Sequence, residues 1–364
     1  MDRRTLLKVL AASPLAGWGL GRVWAADGAD PVASALTGSG APALAGAVFT
    51  PMETLFLGVA GVRQTGSDNK VATEDRWHLG SNTKAMTAAV FQRLVEQGRI
   101  KAGATLAELF PGMTIDPALS GLTADDLSGH RAGLLDMAVI GRDWLMTARG
   151  DKRPMTEQRA ALAAKALGAP PPGQAGTFAY GNINFIVLGA AIEQATGMAW
   201  EDVMKAELFA PLGMASAGFG APADPAPWGH MGGRPMEPGP FADNPAALGP
   251  AGTVHVALGD YGKWLQMIMK GGDGWLSAGA VAAMTAPPAD GERYRRGWGL
   301  VAARPWAQGP VLMHEGSNVM WHATAMIAPV RGIAIATMSN DETSGGAKAC
   351  QALAQVLKET YAPV

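Results

Sequence analysis

Trp77-His78-Leu79-Gly80-Ser81-Asn82-Thr83-Lys84 is the stretch on which the reading of this chain turns. Gly80 marks a turn, and from Thr83 onward Met86, Val90 and Leu94 recur at helical spacing until Gly98, so the pattern predicts a helix over 83–97. Ser81 and Lys84 are three residues apart at the start of that helix and face the same way, which brings the amine within reach of the hydroxyl. A serine hydroxyl is a poor nucleophile until a base takes its proton, and a lysine serves as that base once desolvation lowers its pKa. The helix N-terminus also offers backbone N–H groups to a developing oxyanion. Taken alone, the same four residues describe an N-capping serine and a solvated lysine equally well.

Working outward, Ala43–Phe49 and Thr54–Ala60 are apolar runs separated by Thr50-Pro51-Met52-Glu53 and read as a hairpin. Near the other end, 298–303, 311–314, 324–328 and 333–338 are four more strand-like runs between Gly, Pro and Asn signals. Helical patterns fill the middle and the end, predicted over 83–97, 184–196, 254–269 and 347–361. Residues 220–252 are rich in Pro and Gly and read as a long surface excursion. Strands at both termini with helices between them predict an α+β fold: one antiparallel sheet built from N- and C-terminal strands, flanked by helices, with a mainly helical lobe inserted.

The composition narrows the function. The chain has 364 residues, 48% of them apolar, enough for a sizeable core, so disorder is excluded as the dominant state. The formal net charge is −2, with no block of five or more like charges, which argues against a nucleic-acid partner. Asp2-Arg3-Arg4-Thr5-Leu6-Leu7-Lys8, the apolar stretch from Val9 to Gly21 and the small residues before Ala26 predict a twin-arginine export signal over 1–25. The remainder, 26–364, is expected to be one two-lobed catalytic domain, free of the membrane after cleavage, and periplasmic or secreted. The single cysteine, Cys350, permits no intramolecular disulfide and sits at helical spacing among Ala349, Leu353 and Val356, as a small buried residue would.

Two further elements suit the Ser81–Lys84 pair. Tyr180-Gly181-Asn182 follows a Pro172-Gly173 turn and leads into a helix, so a phenol and an amide can project into a cleft, one to relay a proton and one to position a carbonyl or the lysine. His314-Glu315-Gly316-Ser317 ends a strand-like run, where Gly316 lets a substrate approach backbone N–H groups. Either element alone is equally compatible with an aromatic plug or a plain turn.

Together, in this order and spacing, the elements resemble the serine β-lactamase/penicillin-binding-protein superfamily, specifically the class C β-lactamase-related serine hydrolases, whose sister class A enzymes share the S-x-x-K motif. Residues 77–88, the segment Phe178-Ala179-Tyr180-Gly181-Asn182-Ile183-Asn184-Phe185, the stretch Leu208–Met214 and Pro250-Ala251-Gly252 carry the likeness, which spans nearly the whole mature chain. The resemblance implies a β-lactamase/transpeptidase-like fold. It implies that Ser81 is acylated, Lys84 accepts its proton, Tyr180 is a second acid/base, and Asn182 positions substrate. It further implies an oxyanion hole from the N–H groups of Ser81 and Ser317, beside Gly316, with His314 where many members carry a lysine. The group holds β-lactamases, D-alanyl-D-alanine carboxypeptidases, D-aminopeptidases and esterases, so the expected partner is a small-molecule ester, amide or peptide, with no cofactor and no metal.

Departures bear on substrate. Glu315 adds a carboxylate where a β-lactam carboxylate would dock if it points into the cleft, at a repulsion of roughly 1–4 kcal/mol, although strand alternation equally allows it to face away. Ser128-Gly129-His130-Arg131-Ala132-Gly133-Leu134 also departs from the family pattern, and reads as a structural loop. Trp228, Trp298 and Trp321 are candidate cleft walls. Rival motifs fail: Asn318 breaks an H-E-x-x-H run, the six histidines lack metal-ligand spacing, and no G-x-S-x-G occurs. The remaining alternative is a non-catalytic or slowly turning-over binding protein for penicillin or peptidoglycan fragments on the same scaffold.

Overall fold

The structure is a computed structural model, and it describes residues 30–287, 289 and 291–364. The predicted export signal lies outside the described residues. Seven strands form one antiparallel sheet in the order Thr54–Gly61, Ala43–Phe49, Ile333–Ser339, His322–Ala328, Gly309–Ser317, Trp298–Arg304 and Tyr294–Arg295. The N-terminal hairpin is therefore closed by the last strand, with Ala45 opposite Met338 and Ala47 opposite Ala336. All six predicted runs are strands, most of them one to three residues longer than their apolar stretches.

The sheet is covered on both faces, which explains why Ala43–Phe49 is buried at every position. Alternation divides its side chains. Leu44 and Val48 face a core shared with Ile335, Cys350, Leu353 and Leu357, the last three from the C-terminal helix Gly346–Tyr361. Ala45, Ala47 and Phe49 face the larger core with Tyr261 and Leu265 of the helix Leu258–Met269. Cys350 is buried as expected, and burial pushes its thiol up.

Two expectations are corrected. The helix expected from Val254 begins at Leu258, because Val254–Ala257 is a buried strand that pairs with Arg76–His78 and Gly218–Phe219 in a second, three-stranded sheet. Alternating Val254 and Val256 suit a strand, and pairing of Trp77 with Val256 supplies the tertiary partner that periodicity cannot see. The 220–252 segment is not all surface either: its end, Gly249–Gly252, is a fully buried helical turn against the helices Thr83–Glu96 and Asn182–Thr196. Among the described residues no helix is long and apolar enough to cross a membrane.

Candidate active site

The small sheet delivers the nucleophile segment. Leu79 N–H donates to the Val254 carbonyl at 2.8 Å, and the chain then turns through Gly80–Asn82 into the helix Thr83–Glu96. Asn82 fastens this turn to the large sheet: its amide donates to the carbonyls of Leu79 (3.2 Å) and Ala323 (3.1 Å), and its oxygen accepts from Tyr261 (3.2 Å). The strand ending in Gly316-Ser317 lies directly on the turn. A Cβ at Gly316 would sit 2.0 Å from the Leu79 carbonyl oxygen, and one at Gly80, whose φ is +50°, would sit 2.3 Å from the Ser317 nitrogen. Only glycines permit this approach, which brings the Ser81 and Ser317 backbones side by side.

Lys84 is fully buried. Its Nζ donates to Ser81 Oγ at 3.0 Å, to Asn182 Oδ1 at 2.7 Å and to the Ala251 carbonyl at 2.8 Å. Burial lowers its pKa to about 7, against a smaller opposing pull from the Asp136 carboxylate. Tyr180 is 45% exposed as a residue, yet its hydroxyl reaches Ser81 and its ring lies 4.9 Å from Lys84 Nζ. Burial of that end, partly offset by the hydrogen bond to Ser81, pushes the phenol up to about 12. The amine is thus the weaker proton holder of the two: near neutral pH Lys84 is substantially unprotonated while Tyr180 keeps its proton.

Asp136, which the sequence pattern did not single out, and His130, from the 128–134 segment read there as a structural loop without a role in the site, hold these groups in place. Asp136 accepts from Asn182 Nδ2 at 3.0 Å and from the Ile183 N–H at 2.9 Å, fixing the amide and capping the helix Asn182–Thr196. The helix starts two residues before its apolar repeat because that carboxylate supplies the cap. His130 grips the backbone on both sides of Tyr180, since its carbonyl accepts from Ala179 N–H (2.8 Å) and its Nδ1 from Gly181 N–H (3.3 Å). Its ring centroid is 4.4 Å from that of Tyr180. His130 is buried at a left-handed φ of +55°, a conformation that costs free energy and is held by these contacts. Burial, then Lys84 and His314, depress its pKa to about 2, so it is neutral.

His314 enters the cluster differently from the lysine it was expected to replace. Its Nδ1 donates to the Glu315 carbonyl (2.7 Å), so its Nε2 accepts from the Tyr294 hydroxyl (2.6 Å). Burial, followed by Lys84, depresses it to about 3. With both nitrogens engaged and no charge, it offers no cation to a substrate carboxylate. It works as the anchor of Tyr294, whose ring packs on His130 (4.7 Å) and Tyr180 (6.1 Å). Glu315 is exposed and its carboxylate is turned to Gln351 Nε2 on the C-terminal helix (3.3 Å), so repulsion of a docking carboxylate does not arise from it. The tryptophan expectations are corrected too. Trp298 is buried in the large core, Trp321 is buried and stacks on His78, and Trp228 bonds Asp224, so none of them bonds or stacks on Ser81, Lys84 or Tyr180. No group of three His, Cys, Asp or Glu side chains able to hold a metal ion occurs among the described residues.

The beta-lactamase family model matches residues 29–358, an interval that contains every residue of this arrangement. The chain belongs to the beta-lactamase family of serine hydrolases. It is 26% identical to penicillin-binding protein 4 of Amycolatopsis lactamdurans over 82% of this chain and 81% of that one. It is equally identical to the D-alanyl-D-alanine-carboxypeptidase/endopeptidase AmpH of Escherichia coli K12, over 64% of this chain but only 58% of the relative's length. The D-stereospecific amidohydrolase from Streptomyces sp. shares the fold at a TM-score of 0.69 and 20% identity, covering 92% of this chain and 98% of that one. The expected β-lactamase/transpeptidase-like fold is therefore present.

Proposed function

We propose that the chain is a Ser–Lys–Tyr acyl hydrolase of the class C-related type, acting on an ester or amide through an acyl-enzyme on Ser81. The observation that carries this reading is the fully buried Lys84 amine, held to about pH 7 and 3.0 Å from Ser81 Oγ. In the forward step Lys84 takes the Ser81 proton as Oγ bonds to the substrate carbonyl carbon. The N–H groups of Ser81 and Ser317 face the oxyanion that forms. The C–O or C–N bond to the leaving group then breaks. Tyr180 passes its proton to the leaving atom and is reprotonated from Lys84, a direction suited to a phenol that remains protonated at neutral pH. Water resolves the ester by the same route, returning the proton to Ser81. Asn182, held by Asp136 through one amide N–H and by Lys84 through its oxygen, keeps the amine aimed, and its second amide N–H is the one left for the substrate. The Arg3-Arg4 segment supports export, and we propose that the enzyme works in the periplasm or outside the cell.

Intact-mass spectrometry tests the reading. The chain is mixed separately with a fluorophosphonate, penicillin G and p-nitrophenyl butyrate while product release is followed. A fluorophosphonate adduct on Ser81 with ester turnover is expected. A penicillin adduct would bring β-lactams into the substrate range, its lifetime separating turnover from capture. A stable acyl adduct with every substrate and no release would replace the hydrolase with a binding protein.

A further inference from the structure

A set of buried side chains outside the reacting groups joins the segment of Ser81 to that of Ser317. His78 stands three residues before Ser81. Its Nδ1 accepts the Gly80 N–H at 3.1 Å, which leaves the ring proton on Nε2, and Nε2 lies 2.9 Å from Asp243 Oδ1. The same Asp243 oxygen accepts from Asn318 Nδ2 at 2.9 Å and from the Asn244 N–H at 2.6 Å. Asn318 follows Ser317 directly, and its Oδ1 accepts the N–H groups of Met320 and Trp321, each at 3.2 Å. The Trp321 ring stacks back on His78, with 5.5 Å between the centroids. His78, Asp243, Asn318 and Trp321 therefore close a circuit, and all four are buried.

The turn that this circuit grips is under strain. The strand Gly309–Ser317 pairs back on His322–Ala328 with Ser317 opposite His322, so residues 318–321 make the whole connection. Within it Val319 has a φ of +77°, a left-handed conformation that a β-branched residue adopts only at a cost in free energy. Val319 is 54% exposed, so burial of its side chain does not offset that cost. The contacts that oppose it are those of Asn318 and the bond from the Val319 N–H to Ser317 Oγ at 2.8 Å. On the other side of Ser317, Asn82 holds Ala323, the residue opposite Gly316. The circuit is the matching hold on the side of the turn.

We propose that His78, Asp243 and Asn318 are positioning residues for the oxyanion hole. Through Gly80 on one side and the 318–321 turn on the other, they fix the Ser317 N–H against the Ser81 N–H. This rests on the acyl-transfer reading of Ser81 and assigns what sets the spacing of its two donors. None of the three side chains bonds Ser81, Lys84 or Tyr180, so their contribution is geometric. Donors already aimed where charge develops act on the transition state and leave ground-state binding nearly unchanged. Within Asp243 only Oδ1 takes part. Oδ2 has no hydrogen-bond partner among the described residues, so an amide that keeps one oxygen in the Oδ1 place can serve as well.

The test measures kcat and KM for p-nitrophenyl butyrate together with the affinity for phenylboronic acid, whose tetrahedral adduct on Ser81 sets an oxygen in the oxyanion hole. Asp243→Ala and Asn318→Ala should each lower kcat roughly tenfold or more, with KM within about threefold, and weaken the boronate in parallel. The double variant should lose no more than the worse single one, since both cut the same circuit. Asp243→Asn should keep kcat within about threefold of wild type. His78→Phe, which retains a ring against Trp321 and removes both nitrogens, gives the same readout if the Asn318 variant does not fold. A lower melting temperature with kcat and boronate affinity unchanged would make the circuit a structural support and overturn the proposal. So would losses that add in the double variant, an Asp243→Asn as damaging as Asp243→Ala, or a fall in kcat that leaves the boronate untouched. Each of those results leaves the Ser81 reading standing. A wild-type protein with no ester turnover and no fluorophosphonate adduct would instead overturn the acyl-transfer reading, and the positioning role with it.

Discussion

Removing the Asp136 charge should move the acid limb of the pH–rate profile downward. In the wild-type protein kcat/KM should rise with pH through an apparent pKa of about 7, because protonated Lys84 cannot accept the Ser81 proton. Asp136 holds that value up, as it favours the ammonium form. The two groups are bridged by Asn182, through contacts of 2.7 and 3.0 Å on either side of the amide. That places the charges roughly 7 Å apart, an interaction of about 0.6 kcal/mol at a dielectric of 80 and about 2.4 kcal/mol at 20. Converted at about 1.4 kcal/mol per pH unit, Asp136→Asn should shift the limb down by roughly 0.4 to 1.7 units. The new amide also faces the Asn182 amide with a donor. If Asn182 turns to accommodate it, Lys84 loses an acceptor and its pKa falls further, in the same direction. The assay is p-nitrophenyl butyrate hydrolysis over pH 4.5–9, corrected for spontaneous hydrolysis, with circular dichroism to establish folding. A limb that stays put or moves upward in a folded Asp136→Asn protein would refute the electrostatic argument. So would a wild-type limb near 10, the position of an unperturbed lysine.

Ser81→Ala should abolish both turnover and fluorophosphonate labelling, and full activity in that variant would remove the mechanism. Lys84→Ala should cost several orders of magnitude in kcat/KM with the fold intact by circular dichroism, since the residue is a desolvated amine whose charge is a burden to the folded state. His130→Ala should lower kcat more than it raises KM, because it loosens the backbone on both sides of Tyr180, and Michaelis kinetics check the split. Gly316→Ala should abolish activity and lower the melting temperature, because its Cβ would lie 2.0 Å from the Leu79 carbonyl oxygen. Arg159→Met should destabilise the protein by about 3–5 kcal/mol in urea titration, because the buried guanidinium is the shared partner of Glu193 and Glu201.

Much of the site was legible because its chemistry is local. Ser81 and Lys84 meet through the geometry of one helix turn, and Tyr180-Gly181-Asn182 is contiguous. His130 and Asp136 were not legible. A histidine in a loop and an acid near a short helix carry no periodic signal, and their roles come from segments some fifty residues away. Asp136 did leave one trace, since Asn182-Ile183 begins a helix without a capping side chain at Gly181, which implies a cap from elsewhere. Val254–Ala257 was misjudged for a related reason: its neighbours in the sheet, Arg76–His78, lie far off in the chain, and an apolar stretch next to a true helix reads as more of it.

Local pattern is enough to specify most of the elements and the reactive groups available: strands at both ends, helices between, a serine paired with a lysine, and a glycine before Ser317. These follow from periodicity and i,i+3 spacing, which are properties of neighbouring residues. The state of those groups is set by tertiary packing. The amine of Lys84 becomes a base because Asn182 and the Ala251 carbonyl, 98 and 167 residues away, close over it and exclude water. His314 becomes neutral because burial, followed by Lys84, lowers its pKa to about 3, and it anchors Tyr294 through its free nitrogen, while Glu315 turns away because the C-terminal helix lies on that face of the sheet. Desolvation and side-chain direction depend on what packs against a residue, and that is settled when distant segments of the chain come together.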